Sequence, residues 1–89
     1  MSARGTALIT GASTGIGLEL ARQFAANGNP LAIVSRDRER LAKVAGELHV
    51  EYGVPVRHFA TDLSEPRAAQ GLWDEISSAG ITIETLVNN

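Results

Sequence analysis

No cysteine occurs in the 89 residues, so the chain can build neither a disulfide framework nor a thiolate zinc site. Its two histidines, His49 and His58, lack ligand-like spacing, which leaves metal chemistry without an evident home. There is no block of one charge: eight Lys plus Arg stand against ten Asp plus Glu, a formal net charge of −2 spread along the chain. That balance argues against nucleic acid or an anionic membrane as the main partner and favours a small-molecule ligand. Long apolar runs are missing too. The opening "MSARG" passes into an apolar segment too brief for a signal core or a membrane span, so a reducing cytoplasm is the default location. At this length one small domain is the upper bound, and a chain so short buries only roughly 60 to 65% of its extended surface, so marginal stability is the starting expectation.

What is present is an alternation of short aliphatic runs and longer helical stretches, which scans as βαβαβαβ. "TALIT" (6–10) reads as a first strand, and a helix follows from about Gly15 to Asn27, with Ile16, Leu20 and Phe24 on one face. "NGNP" (27–30) stops it, and "LAIVS" (31–35) is the second strand. Asp37 is placed to cap a second helix with the stripe Leu41, Val44, Ala45, Leu48 and Tyr52, ended by Gly53. "VRHFA" (56–60) is the third strand; His58 on it and His49 on the second helix read as ordinary residues. Ser64 is placed to cap a third helix with Pro66 in its first turn, and Leu72, Trp73 and Ile76 form its core stripe. A fourth strand is expected over Thr85 to Asn88.

Strand, helix, strand repeated without hairpin turns implies parallel strands joined by right-handed crossovers, an open α/β sheet of the doubly wound, Rossmann type. "ALI" and "LAIV" are apolar at adjacent positions, as in strands buried on both faces. In the doubly wound order the first two helices cover one face and only the third is left for the other. The four strands therefore read as half of a larger domain, with the rest of the sheet absent, and the 89 residues alone are expected to fold poorly.

The glycines of "LITGASTGIG" (8–17) sit where the first strand turns into the first helix. A helix N-terminus offers free amides and a positive dipole to a diphosphate, and long side chains would block its approach. Gly11 can make the turn, Gly15 can let backbone and phosphate meet, and Gly17 can let the helix lie close on the strand. Ser13 and Thr14 add hydroxyls within reach of phosphate. A Walker loop is excluded, because no Lys-Ser or Lys-Thr follows the glycines. The plain alternative, glycines serving only a tight strand-to-helix turn, is weighed against the strand before and the helix after, a context that favours the phosphate loop.

"TGASTGIG" (10–17) resembles the T-G-x-x-x-G-x-G cofactor loop of the short-chain dehydrogenase/reductase family, and "LVNN" (86–89) resembles the start of that family's N-N-A-G motif. "SRDRERL" (35–41) and "TDLS" (61–64) fall where the family contacts the adenosine ribose and the adenine, so the resemblance runs the length of the chain. It implies a nicotinamide dinucleotide held by Gly11, Ser13, Thr14, Gly15, Ile16 and Gly17, with Asp62 receiving the adenine amino group, Leu63 beside it, and the backbone of Asn89 lining a ribose. Asn88 would chiefly tie neighbouring strands. Asp62 has a plainer reading as a helix-start carboxylate near Ser64, and both can hold at once.

About 20 residues past the loop, at the end of the second strand, an acidic residue would accept from the adenosine 2′-hydroxyl and select NAD. Arg36 stands there. A guanidinium cannot accept a hydrogen bond but pairs with a 2′-phosphate, and Ser35 can donate another bond, so NADP is favoured over NAD and over S-adenosylmethionine. Asp37 is the complication, since a shift of one residue would put an acid at the deciding place. Arg38 and Arg40 read as a solvated face at a helix start.

The resemblance further implies hydride transfer between the nicotinamide and a carbonyl or alcohol, using a tyrosine, a lysine and a serine. None is found here: Tyr52, the sole tyrosine, is followed by "GVPV" and lies on an apolar stripe. No catalytic residue is assigned, and the family's substrate pocket and oligomer helices would lie beyond residue 89. Two readings stand: the N-terminal, cofactor-binding half of an NADP-dependent oxidoreductase, or a complete, non-catalytic nucleotide- or partner-binding remnant.

Overall fold

The computed structural model describes residues 5–89. Seven elements follow in order: β1 (Thr6–Thr10), α1 (Gly15–Ala26), β2 (Leu31–Ser35), α2 (Arg38–Tyr52), β3 (Val56–Ala60), α3 (Ala68–Ser78) and β4 (Ile83–Val87). All strand pairings are parallel and the sheet order is β3-β2-β1-β4. The order reverses between β2 and β4 around the central β1, which creates a crevice beyond the carboxyl ends of the strands. Among the described residues no helix is long and apolar enough to cross a membrane.

The two faces of the sheet are unequally covered, as the doubly wound reading requires. On one face Ala7, Ile9, Leu31 and Ile33 pack under α1 and α2. On the other, Leu8, Ala32 and Val34 meet Leu72 and Ile76 of the single helix α3, with Phe59, Ile81 and Ile83 partly buried around them. Ala7 to Ile9 and Leu31 to Val34 are all buried, which is the physical content of their unbroken apolar runs. β4 begins earlier than its sequence suggested, at Ile83, and a register shift between Thr6↔Ile83 and Ala7↔Thr85 sets Leu86 opposite Leu8. Leu86 thus lies on the α3 face, where one helix cannot span four strands, and is 63% exposed.

Two helix faces differ from expectation. On α1 the buried residues are Gly17, Ala21 and Ala25, while Ile16 points outward at 73% exposure. The helix lies so close to the sheet that only small residues fit beneath it, and Leu18 and Phe24 fill its flanks. On α3 the buried pair is Leu72 and Ile76, four apart; Trp73, one position round the helix, is not a core residue but half exposed. The start of α3 is also corrected. Ser64 does not cap it and Pro66 is not in its first turn, because helical geometry begins only at Ala68, after Arg67 in left-handed conformation at φ 69°. On α2 the expected stripe is buried, with Tyr52 packed against it, and Gly53 closes the helix. His49 does more than sequence suggested: its Nδ1 lies 2.8 Å from the Val54 carbonyl, tying the helix end to the turn into β3.

Candidate nucleotide-binding crevice

At the carboxyl edge of the sheet a crevice of about 420 Å³ is lined by residues from the ends of all four strands. β1 and the loop after it give Thr10, Gly11, Ser13 and Thr14; β2 gives Val34, Ser35 and Arg36; β3 leads into Thr61 to Ser64; β4 ends in Asn88 and Asn89. Of the residues singled out from sequence, Gly11, Ser13, Thr14, Ser35, Arg36, Asp62, Leu63 and Asn89 line this one space. Gly15, Ile16 and Gly17 follow directly as the first turn of α1.

The glycine loop is shaped by two separate constraints. Gly15 has φ +60° and a side chain there would meet nothing within 4 Å, so glycine serves the backbone conformation and leaves a clearing beside the helix start. Gly17 has the opposite problem, since a Cβ would run into the Gly11 carbonyl and come within 2.8 Å of Asn89 Nδ2. The close approach Gly17 permits is therefore to the loop itself as well as to the strand beneath.

The N-terminus of α1 is left open. Its flanking residue Thr14 makes no side-chain cap, the first turn carries no acid, and the first helical bond is donated by the Leu18 amide to the Thr14 carbonyl. The amides of Gly15, Ile16 and Gly17 precede it and have no intrahelical acceptor. The start of α2 is the reverse case, capped by Asp37 and carrying Glu39 in its first turn. One helix start has a capped amide and acidic side chains that counter its dipole, whereas the other faces outward with its amides open to an anion.

Thr10, which the sequence reading did not single out, locks the crevice floor. Its Oγ1 accepts from the Asn89 amide at 2.9 Å and donates to Asn88 Oδ1 at 3.1 Å, and Asn89 Nδ2 donates to the Gly11 carbonyl at 3.3 Å. Both asparagines thus tie β4 to β1 and its loop. Thr10 opens the motif "TGASTGIG", which was the available signal, but the role itself exists only once β4 is in register beside it.

The end of β2 settles which of two adjacent charges faces the crevice. Arg36 lines it. The Asp37 carboxylate accepts from the Arg40 amide at 3.1 Å as the cap of α2, lies 3.7 Å from Arg40 Nε, and borders a neighbouring groove, reached past Ser13, with Glu39, Arg40 and Lys43. Ser35 Oγ stands 2.9 Å from Ser13 Oγ and accepts from the Asp37 amide at 3.3 Å. Across the crevice, Asp62 Oδ1 accepts from both the hydroxyl of Ser64 (2.6 Å) and its amide (3.0 Å). Those two bonds, the hydroxyl first, hold the Asp62 carboxyl below its ordinary pKa against a small opposing effect of burial, and the Arg36 guanidinium adds attraction. It is ionised and available as an acceptor at neutral pH. The donor set, the open helix start and the clearing at Gly15 together fit a phosphorylated dinucleotide with an anionic centre and an adenine end.

Residues 5–89 match the family model described as short chain dehydrogenase. The chain is 38% identical over 85 residues to a very-long-chain 3-oxoacyl-CoA reductase of Anas platyrhynchos, covering 93% of this chain and 26% of that protein. It is 40% identical over 82 residues to sulfoacetaldehyde reductase 2 of Chromohalobacter salexigens, covering 92% of this chain and 32% of the relative. Among solved structures it superposes on the L-sorbose reductase of Gluconobacter frateurii, in complex with NADPH and L-sorbose, with TM-score 0.90 and 36% identity over 100% of this chain and 34% of that one. A short-chain dehydrogenase from Sphingobium yanoikuyae in complex with NADPH gives TM-score 0.82 and 38% identity over 92% and 32%. The chain spans about a quarter to a third of the length of these relatives. With its partial Rossmann-like sheet and the family model matched over residues 5–89, the chain belongs to the short-chain dehydrogenase family of oxidoreductases.

Proposed function

We propose that residues 1–89 are the N-terminal, cofactor-binding portion of an NADP(H)-dependent oxidoreductase. NADP(H) would supply a hydride, exchanged with a carbonyl or alcohol substrate. In this reading the amides at the start of α1 and the Thr14 hydroxyl hold the diphosphate, with Ile16 beside it. Arg36 and Ser35 hold the adenosine 2′-phosphate, the Asp62 carboxylate accepts from the adenine amino group with Leu63 against the ring, and Asn89 borders a ribose. These residues bind and orient; none is assigned to proton transfer. NADPH in the sorbose reductase and Sphingobium complexes, at 36% and 38% identity, supports the choice of nucleotide.

One observation carries the reading: at the end of β2 the cation, not the acid, lines the crevice, because the carboxylate of Asp37 is committed to capping α2. A 2′-phosphate there meets charge-assisted donors from Arg36 and Ser35, whereas the guanidinium cannot accept the proton of an NAD 2′-hydroxyl. Calorimetric titration of the full-length natural protein with NADPH and NADH tests it. NADPH binds more tightly, and Arg36→Ala abolishes most of that preference while leaving NADH nearly untouched. Equal losses for both nucleotides refute the assignment.

A further inference from the structure

The flank of α2 that faces α1 carries Arg40 and Lys43 first and Glu47 and Glu51 after them, so the same helix turned end for end sets cations against anions. Among the described residues Lys43, Glu47 and Glu51 form no ion pair, although Lys43 and Glu47 stand one turn apart. Arg40 reaches Asp37 only through Nε, at 3.7 Å, and Arg22 on the α1 side of the groove already has Glu19 at the same distance. Beside this flank runs the outward crest of the helix, with Ala42, Gly46 and Val50 four residues apart. Val50 is 83% exposed. Gly46 has no left-handed backbone to accommodate, and a Cβ there would meet nothing within 4 Å. Nothing within the chain therefore calls for glycine, which weakens a helix interior relative to alanine. Between the two helices lies a groove of about 670 Å³ with Leu18 and Val44 in its lining.

We infer that the outward face of α2 docks a second copy of this chain, the two α2 helices running antiparallel about a two-fold axis. In that arrangement Lys43 meets Glu47 of the second copy and Arg40 meets its Glu51, and symmetry forms each pair twice. Ala42 falls opposite Val50, and the two Gly46 backbones approach closely at the crossing. All these pairings share one centre, near Ala45 and Gly46. Glu39, on the crest, falls opposite Gly53 and meets no like charge. A segment of unrelated sequence has no reason to match this pattern in reverse, whereas a second copy matches it by symmetry. One helix pair buries little area, so dissociation is expected in about the micromolar range.

Sedimentation equilibrium of the full-length natural protein over about 1 to 100 µM reads the association. Lys43→Glu and Glu47→Lys each set like charges together at two symmetric pairs and should weaken it about ten- to a hundredfold. An equimolar mixture of the two single variants should associate within about threefold of the parent, because one chain is then anionic at both positions and the other cationic. Mixing cannot rescue misfolded chains, so restoration separates a lost contact from a folding defect. Gly46→Gln keeps the charges and favours the helix but blocks the close approach, and should weaken the association without loss of helix by circular dichroism. The inference is overturned if the natural protein is monomeric throughout, if either charge reversal or Gly46→Gln leaves its assembly unchanged, or if the mixture associates as weakly as its components.

Discussion

Gly17→Ala and Gly46→Ala add the same methyl group to the interior of a helix and should move stability in opposite directions. At Gly46 in α2 a Cβ meets nothing within 4 Å, so the substitution gains helix propensity and loses unfolded-state freedom, about 0.5 to 1 kcal/mol of stabilisation. At Gly17 the same gain is opposed by contact with backbone. The new carbon overlaps the Gly11 carbonyl and lies 2.8 Å from Asn89 Nδ2, well inside van der Waals contact. A peptide carbonyl cannot swing aside as a side chain can, so the loop must shift against α1. Overpacking of this kind costs about 1 to 3 kcal/mol. The shift also breaks the hydrogen bond from Asn89 to Gly11, worth about 0.5 to 1.5 kcal/mol. Subtracting the propensity gain of about 1 kcal/mol leaves a net loss centred near 2 kcal/mol. Urea denaturation of the full-length natural protein, with matched slopes, measures both variants. Because the displaced loop carries the open amides of α1, Gly17→Ala should also weaken NADPH and NADH together, unlike Arg36→Ala. A Gly17→Ala protein as stable as Gly46→Ala would refute the claim that α1 sits in backbone contact with the loop.

Removing the cap in Asp37→Ala should destabilise α2 by about 1 kcal/mol, seen as faster amide exchange at Arg40, whose amide it holds. Ile76→Ala empties a fully buried site on the thinly covered face of the sheet and should cost about 2 to 5 kcal/mol in the same denaturation assay. For Asp62 the sign follows from its lowered pKa. The stabilising bonds from Ser64 are present above the carboxyl's ordinary range and are lost as pH falls through the lowered value. A carboxyl titration by NMR should therefore place Asp62 below an unperturbed aspartate and move it back toward that value in Ser64→Ala, while a midpoint at or above the ordinary value contradicts the geometry.

The strands, the α2 stripe and the glycine loop were legible because each is written in local chemistry: unbroken apolar runs, a four-residue period, small residues at a turn. What the sequence misplaced depends on competition between neighbours. Ser64 is a sound N-cap by type, but Asp62 takes its amide and its hydroxyl, closing a turn before α3 can begin, and Arg67 then enters left-handed backbone. Ile16, Leu20 and Phe24 have the right period for a buried face, yet close approach of α1 to the sheet admits only Gly17, Ala21 and Ala25. The same kind of competition decides which charge lines the crevice at the end of β2. In "SRDR" the cation and the acid are adjacent, and either could face the ligand. The acid is claimed by the Arg40 amide in the first turn of α2, and the long guanidinium of Arg36 is left at the crevice. If the proposed roles hold, cofactor preference is coupled to a helix cap: move that cap requirement elsewhere, and the carboxylate of Asp37 is released toward the hydroxyl of an unphosphorylated ribose.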